Sequence, residues 1–339
     1  MNYILYCAFT DSKIIDMTIY SLKSLFYISK PFYKDTKAVI FTNNIEPFAR
    51  EFQNNEFIVL EDIPEDTLQN WLGGLNYMPR IKIKSLQYFF SKYSGNVIFI
   101  DSDTFYLKTL EHLFEMVDEG RFIMYSACPS LSKLLKCLKE FFNEQPPNFP
   151  FPLYKFCLDM ERNKSISNGQ KRFEIPLSFN QFNSGVIGMN QSYSDIFDEV
   201  LELSDTIIKK YGYWCAEEFA FSYIFQGIQG ITRCDDTVYH YFNDKWVRYI
   251  LEVFLEGVNK DVKNELYSYL KENNLDRLKS INLVYEDLPY FIYFVRVYIL
   301  KYGTDKLHQM YFDEDSFYKG ITKNTGIYEK FMSLWGKNK

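Results

Sequence analysis

Apolar runs of two kinds alternate along the N-terminal part of this chain, and that alternation constrains the fold more than any other feature. YILYCAF at residues 3–9 is a short strand-type run, after which Ile14, Ile15, Met17, Tyr20, Leu22, Leu25 and Phe26 recur at helical spacing, and a second strand-type run covers residues 38–42. The pattern repeats with RIKIKSLQYFFSK at 80–92, read as a helix, then a Ser-Gly-Asn turn, then NVIFI at 96–100, read as a strand. Strands separated by helices do not pair as hairpins, so they lie largely parallel with both sheet faces covered. The predicted class is α/β. Ligands of such sheets bind beyond the carboxyl ends of the strands, which here are Thr10-Asp11, Thr42-Asn43 and Asp101-Ser102-Asp103.

Length and composition narrow the choice. A chain of 339 residues predicts two domains, or one with a large appendage, and 47% hydrophobic with 19% aromatic residues excludes a disordered or linker-like class. Acidic side chains outnumber basic ones, 44 to 38, with no basic run, which argues against a nucleic-acid partner because counterion release needs concentrated Lys and Arg. Six cysteines stand singly without a CxxC pair beside only three histidines, so free thiols in a reducing cytoplasm are expected rather than a zinc cluster. MNYILYCAFTDSK has no basic n-region, and the apolar stretch at 288–300 is short for a bilayer span and carries Arg296, so neither export nor a membrane span is expected. Residues 129–181, with the Pro-rich QPPNFPFP, read as an excursion from the sheet domain, and the chain beyond Trp246 reads as helical and aromatic.

The strongest chemical signal is VIFIDSDTFYLK, where two carboxylates two residues apart follow a buried-strand run. At a strand end both can turn toward one crevice, and two hard oxygen ligands suit Mg²⁺ or Mn²⁺ when substrate phosphates supply the rest. Capping a turn is the alternative use of Asp101 and Asp103. Asp313-Glu314-Asp315 has the same spelling without a preceding apolar strand and reads as solvated surface.

Five segments, in order ILYCAFTD, PRIKIKSLQYFFSKYSGNVIFIDSDTFYLK, FNSGVIGMN, EEFAFSYIF and YHYFNDKW, resemble the GT-A-fold glycosyltransferases, most closely the retaining group that includes glycogenin and bacterial lipooligosaccharide galactosyltransferases; they span residues 3–246. The resemblance implies a mixed, mainly parallel sheet flanked by helices over 1–246; residues 129–181, which the resemblance does not cover, are expected to form the acceptor side, and 247–339 is expected as a helical C-terminal region. It implies a nucleotide-sugar donor, UDP-linked, and a carbohydrate, glycolipid or protein acceptor. Ala8, Thr10 and Asp11 would line the nucleoside, Arg80 would reach the donor, Asp103 would be the main metal ligand, and Asp101, with Ser102 beside it, would be shared between metal and ribose. Asn183 and Ser184 would hydrogen-bond the donor sugar, with Gly185 allowing close backbone approach. His240 would complete the metal site and Lys245 would neutralise the departing diphosphate.

The chain also departs from that pattern. Glu217 and Glu218 stand where an acidic residue and an amide are usual, and HYFNDKW lacks the customary Gly and Pro, leaving Asp235 and Asp236 as alternative ligands. An acidic first helical turn is the structural use of the Glu pair, and core packing that of a lone His. If the reaction inverts, Glu217, Glu218 or Asp236 would be the base. The departures admit a catalytically silent nucleotide-sugar-binding protein, and the aromatic C-terminal third admits an interaction protein. Residues 288–300 are expected to pack as a buried helix, while the resemblance keeps a peripheral membrane contact open and the tail would suit a homodimer.

Overall fold

The computed structural model describes residues 1–9, 11–28, 35–53, 55–141, 152–169 and 171–242. The chain divides into two compact units, Met1–His240 and Tyr241–Lys339, and the strands, helices and candidate site described below lie in the first. Thr10, Lys245, the 247–339 region and the expected helix at 288–300 lie outside the described residues.

The N-terminal alternation becomes β1 (Asn2–Ala8), α1 (Ser12–Ile28), β2 (Thr36–Thr42), α2 (Glu46–Glu51), β3 (Ile58–Asp62), α3 (Glu65–Leu72), α4 (Arg80–Lys92) and β4 (Asn96–Ile100). Then follow β5 (Thr104–Tyr106), α5 (Glu111–Asp118), β6 (Phe122–Met124), β7 (Ala127–Ser130), α6 (Leu131–Phe141), α7 (Pro152–Asn163), β8 (Ser165–Ser167), β9 (Arg172–Glu174), β10 (Asn180–Phe182) and β11 (Val186–Asn190). The unit closes with α8 (Phe197–Tyr211), α9 (Ala216–Ile228), β12 (Ile231–Arg233) and β13 (Val238–His240).

Seven strands form the main sheet in the order β12-β6-β11-β4-β1-β2-β3. Four of its six pairings are parallel, and β11 runs antiparallel to both β4 and β6. The sheet is therefore mixed and mainly parallel. Alternate residues divide its two faces. Ile4, Tyr6, Ala8, Ile40, Ile98 and Ile100 pack with Ile15, Ile19 and Leu22 of α1 and with Leu113, Phe114 and Val117 of α5. On the opposite face Phe41 meets Tyr88 of α4 edge-on, with ring centroids 5.5 Å apart. Phe90 of α4 in turn meets Phe197 of α8 at 5.9 Å. Helices thus cover both faces, and β4 is buried throughout.

Three registers position the site. The β11–β4 pairing sets Val186 opposite Ile100, and one step on Asp101 N–H donates to Gly185 O at 2.8 Å. The 129–181 excursion leaves through β7 and returns through β10, which pair antiparallel and bring Phe182 beside Ala127. Finally, β13 pairs antiparallel with β5, setting His240 opposite Thr104 and beside Asp103. Among the described residues no helix is long and apolar enough to cross a membrane.

Candidate active site

The Asp-Ser-Asp turn is held from below by hydroxyls. Thr104 Oγ1 donates to Asp101 O at 2.8 Å and lies 2.9 Å from Ser21 Oγ, which is itself 2.9 Å from the Tyr6 hydroxyl. Ser102 Oγ lies 2.8 Å from Thr18 Oγ1 and donates to Cys7 O at 3.3 Å, so that hydroxyl is bonded within the protein. These groups tie the turn to β1 and α1, with Ala8 fully buried at the end of β1.

Above the turn, Asp101, Asp103 and His240 each bring a ligand atom to within 4.8 Å of the others. His240 Nε2 lies 3.0 Å from Asp103 Oδ1 and 3.8 Å from Asp101 Oδ2. Its other nitrogen, Nδ1, lies 2.8 Å from Asn183 Oδ1. The orientation of that amide follows from its neighbours: Nδ2 donates to Glu218 Oε1 at 2.8 Å, and Oδ1 accepts Gly185 N–H at 3.0 Å. An acceptor at Nδ1 assigns the proton to Nδ1, so neutral His240 turns its Nε2 lone pair on two carboxylates. A cation there, either a proton or a metal ion, resolves that opposition. Two hard carboxylates and one imidazole oriented by an outer hydrogen bond fit a divalent ion such as Mn²⁺ or Mg²⁺.

The charges follow this arrangement. Desolvation works against ionised Asp103, but the charge and hydrogen bond of His240 outweigh it and hold the carboxyl below its ordinary range. Burial pushes Asp101 up despite Lys82 and His240, while Asp103 outweighs burial at His240 and raises the imidazole.

Gly185 leaves room for the ring. A Cβ there would stand 2.0 Å from His240 Nδ1. The sequence reading assigned that room to a ligand; the imidazole fills it.

Two cationic side chains of α4 are used differently. Arg80 Nε pairs with Asp205 of α8 at 2.9 Å, and its Nη1 donates to Trp71 O. Lys82, two residues on, sends its ammonium to the strand end, 2.9 Å from Asp101 Oδ2, 3.0 Å from Ser184 O and Oγ, and 3.7 Å from Glu217 Oε1. Burial alone would lower its pKa, yet Asp101 and Glu217 outweigh this and raise it. Sequence reasoning passed over Lys82. The available signal was a lysine set between Ile81 and Ile83, both core residues.

The first turn of α9 supplies the other carboxylates. Glu217, 4% exposed, accepts from Ser184 Oγ at 2.8 Å. The Tyr77 hydroxyl lies 2.9 Å from Glu217 Oε2, lies 2.7 Å from Trp214 O, and accepts Glu217 N–H at 3.0 Å. Glu218 accepts from Asn183 and, at 2.9 Å, from Gln181 Nε2, whose Oε1 is bonded by the Tyr213 hydroxyl. Burial, then the neighbouring charge of Glu217, pushes its carboxyl up to about 7. Tyr77 and Gln181 were also missed, because their partners lie far along the chain.

The structure therefore brings together Asp101, Asp103, Asn183, Ser184, Gly185, Glu217, Glu218 and His240. Asp11 caps the start of α1, its Oδ1 accepting Lys13 N–H at 2.9 Å. Asp235 pairs with Arg233 and Asp236 with Lys108, so both are engaged outside the triad.

No family model matches the chain, and no curated protein matches it. Among solved structures, mouse xyloside xylosyltransferase 1 in its apo form is 14% identical, with a TM-score of 0.43 over 69% of this chain and 85% of that one. The galactosyltransferase LgtC, in complex with donor and acceptor sugar analogues, is 11% identical, with a TM-score of 0.42 over 68% of this chain and 73% of LgtC. Core-mannan synthase A from Aspergillus fumigatus, in an Mn/GDP form, is 11% identical, with a TM-score of 0.42 over 71% of this chain and 74% of that one. At such values the functional reading rests on the geometry of the site.

Proposed function

We propose that this chain is a metal-dependent glycosyltransferase that moves a hexose-type sugar from a nucleotide-sugar, UDP-linked by the resemblance, to a glycan, glycolipid or protein acceptor, with retention. One observation carries the reading: Nδ1 of His240 is tied to Asn183 while Nε2 faces the two carboxylates of the Asp-Ser-Asp turn. Asp101, Asp103 and His240 would hold the ion, Mn²⁺ or Mg²⁺, which when bound supplies positive charge to a departing diphosphate. Lys82 orients Asp101 and Glu217 toward the same crevice. Asn183, Ser184 and Glu217 offer a sugar hydroxyl both donors and acceptors, and Glu218 occupies the position beside them. A carboxyl pushed up to about 7 can hold or accept a proton near neutrality, which supports a second reading, inversion with Glu218 as general base. Six cysteines that stand singly in the sequence, with no CxxC pair, support a cytoplasmic setting. Residues 1–246 are taken as the catalytic domain, and membrane or homodimer contacts are assigned to 247–339.

The test is nucleotide release from a panel of UDP-, GDP- and CMP-sugars, with Mn²⁺ or with EDTA, comparing wild type with Asp103→Ala. Mn²⁺-dependent release from one donor, reduced about a thousandfold in the variant, is the expected result. UDP binding by calorimetry without turnover would make the chain a silent binding protein. Neither binding nor release would overturn the reading.

A further inference from the structure

Among the described residues the large apolar side chains left exposed are Met1, Met78, Trp214, Ile228 and Phe242. One of these packs on a buried residue of the candidate site, and a second adjoins that residue in sequence. Met78, 46% exposed, follows Tyr77 in the chain, and the indole of Trp214, 53% exposed, meets the Tyr77 ring edge-on with centroids 5.4 Å apart. Tyr77 is fully buried and its hydroxyl is shared between Trp214 O and the Glu217 carboxylate. One side chain thus ties an exposed indole to a carboxylate of the candidate active site.

An exposed indole beside polar groups matches one ligand chemistry well. A hexopyranose has a face carrying only C–H groups, which packs on an aromatic ring, and a rim of hydroxyls that seeks acceptors and donors. Here Trp214 supplies the apolar surface, and Glu217, in the first turn of the helix that follows Trp214, supplies a carboxylate held by Ser184. A lipid or membrane contact would call for a contiguous apolar patch of several hundred Å². Two side chains do not make one.

We propose that Trp214 is the platform on which the pyranose ring of a carbohydrate acceptor stacks, with Tyr77 linking its indole to Glu217. This rests on the glycosyltransferase reading, and the site differs from the 129–181 segment that sequence alone favoured for the acceptor.

The experiment uses the full chain with UDP and Mn²⁺. Intrinsic tryptophan fluorescence is titrated with methyl β-D-galactopyranoside and with methyl β-D-glucopyranoside, in wild type and in Trp214→Phe, with anionic phospholipid vesicles as a separate arm. A saturable change with a glycoside, present in wild type and absent from the emission of the Phe variant, is expected. In turnover, Trp214→Ala raises the KM for the glycoside about tenfold while donor hydrolysis by water stays within about twofold, and Trp214→Phe restores most of the affinity. Thermal midpoints of both variants verify folding. No glycoside-dependent change, an unaltered KM, or a response to vesicles alone would overturn the platform. If no nucleotide-sugar is turned over, the glycosyltransferase reading fails, and the fluorescence titration still decides whether the indole binds a sugar.

Discussion

Two pairs of acidic residues face the same lysine and are compensated in opposite ways. Asp101 and Asp103, at the end of β4, are met by Lys82 and by His240; Asp103 is held below the ordinary carboxylate range, while burial still pushes Asp101 up. Glu217 and Glu218, in the first turn of α9, share only the far side of Lys82, and Glu218 is pushed up to about 7. Amide and hydroxyl groups from Asn183, Gln181, Ser184 and Tyr77 supply their other hydrogen bonds. Four carboxylates against one ammonium and one imidazole leave the crevice short of positive charge. The pair with the imidazole is the one arranged for a cation; the pair without it is arranged for hydroxyls and for a proton. Asn183 joins the two, contacting His240 through its oxygen and Glu218 through its nitrogen.

The largest effect is expected at the shared cation. Lys82→Met leaves Asp101 and Glu217 facing each other without the ammonium between them. Breaking a buried pair from one side costs about 3 kcal/mol, and metal-dependent turnover is expected to fall about a hundredfold. The stability loss should shrink as pH falls, because the abandoned carboxylates then take up protons. Urea denaturation at neutral and acid pH measures this, and a loss independent of pH would show that Lys82 acts through packing, for example over the Phe99 ring, 5.3 Å from its Nζ.

Gly185→Ala probes the aspartate pair and its imidazole without replacing a ligand. The added Cβ would stand 2.0 Å from His240 Nδ1, so the ring must move and its bond to Asn183 must break. Loss of such an outer hydrogen bond weakens metal binding about 10–100-fold. Mn²⁺ calorimetry on the folded variant reads this directly. Unchanged affinity would remove His240 from the ligand set and leave the two aspartates alone.

These residues also show what a sequence can and cannot reveal. The strand–helix alternation marked β1, α1, β2, α4 and β4 because each buries a periodic apolar face, whereas β3, partly exposed along its length, escaped notice. Asp101 and Asp103 were legible because strand burial and carboxylate spacing are local. The place of His240 came only from the resemblance, since the β5–β13 pairing that sets it beside Asp103 spans much of the domain. Lys82 was obscured by Arg80: both start the same helix, and only the packing of α4 against α8, where Asp205 takes Arg80, determines which one reaches the crevice. Tyr77 and Glu217, 140 residues apart, share no local pattern at all.

The smallest effect is the most specific to the second pair. Glu218 ordinarily titrates near 4.5, and in the folded protein near 7, so between these values the native state keeps a proton that the unfolded chain releases. Its contribution to stability therefore falls as pH rises through that window and is constant above it. Glu218→Gln carries no such charge. It should match wild type at about pH 4 and exceed it by on the order of 1 kcal/mol at about pH 8, a modest value suited to a half-buried group. Urea denaturation across the window measures the difference. A difference that stays flat with pH would mean that Gln181 and Asn183 already satisfy the ionised carboxylate, making the second pair as well compensated as the first. A stabilised variant with diminished turnover would instead show that the strain of two adjacent carboxylates is kept for the chemistry of the site.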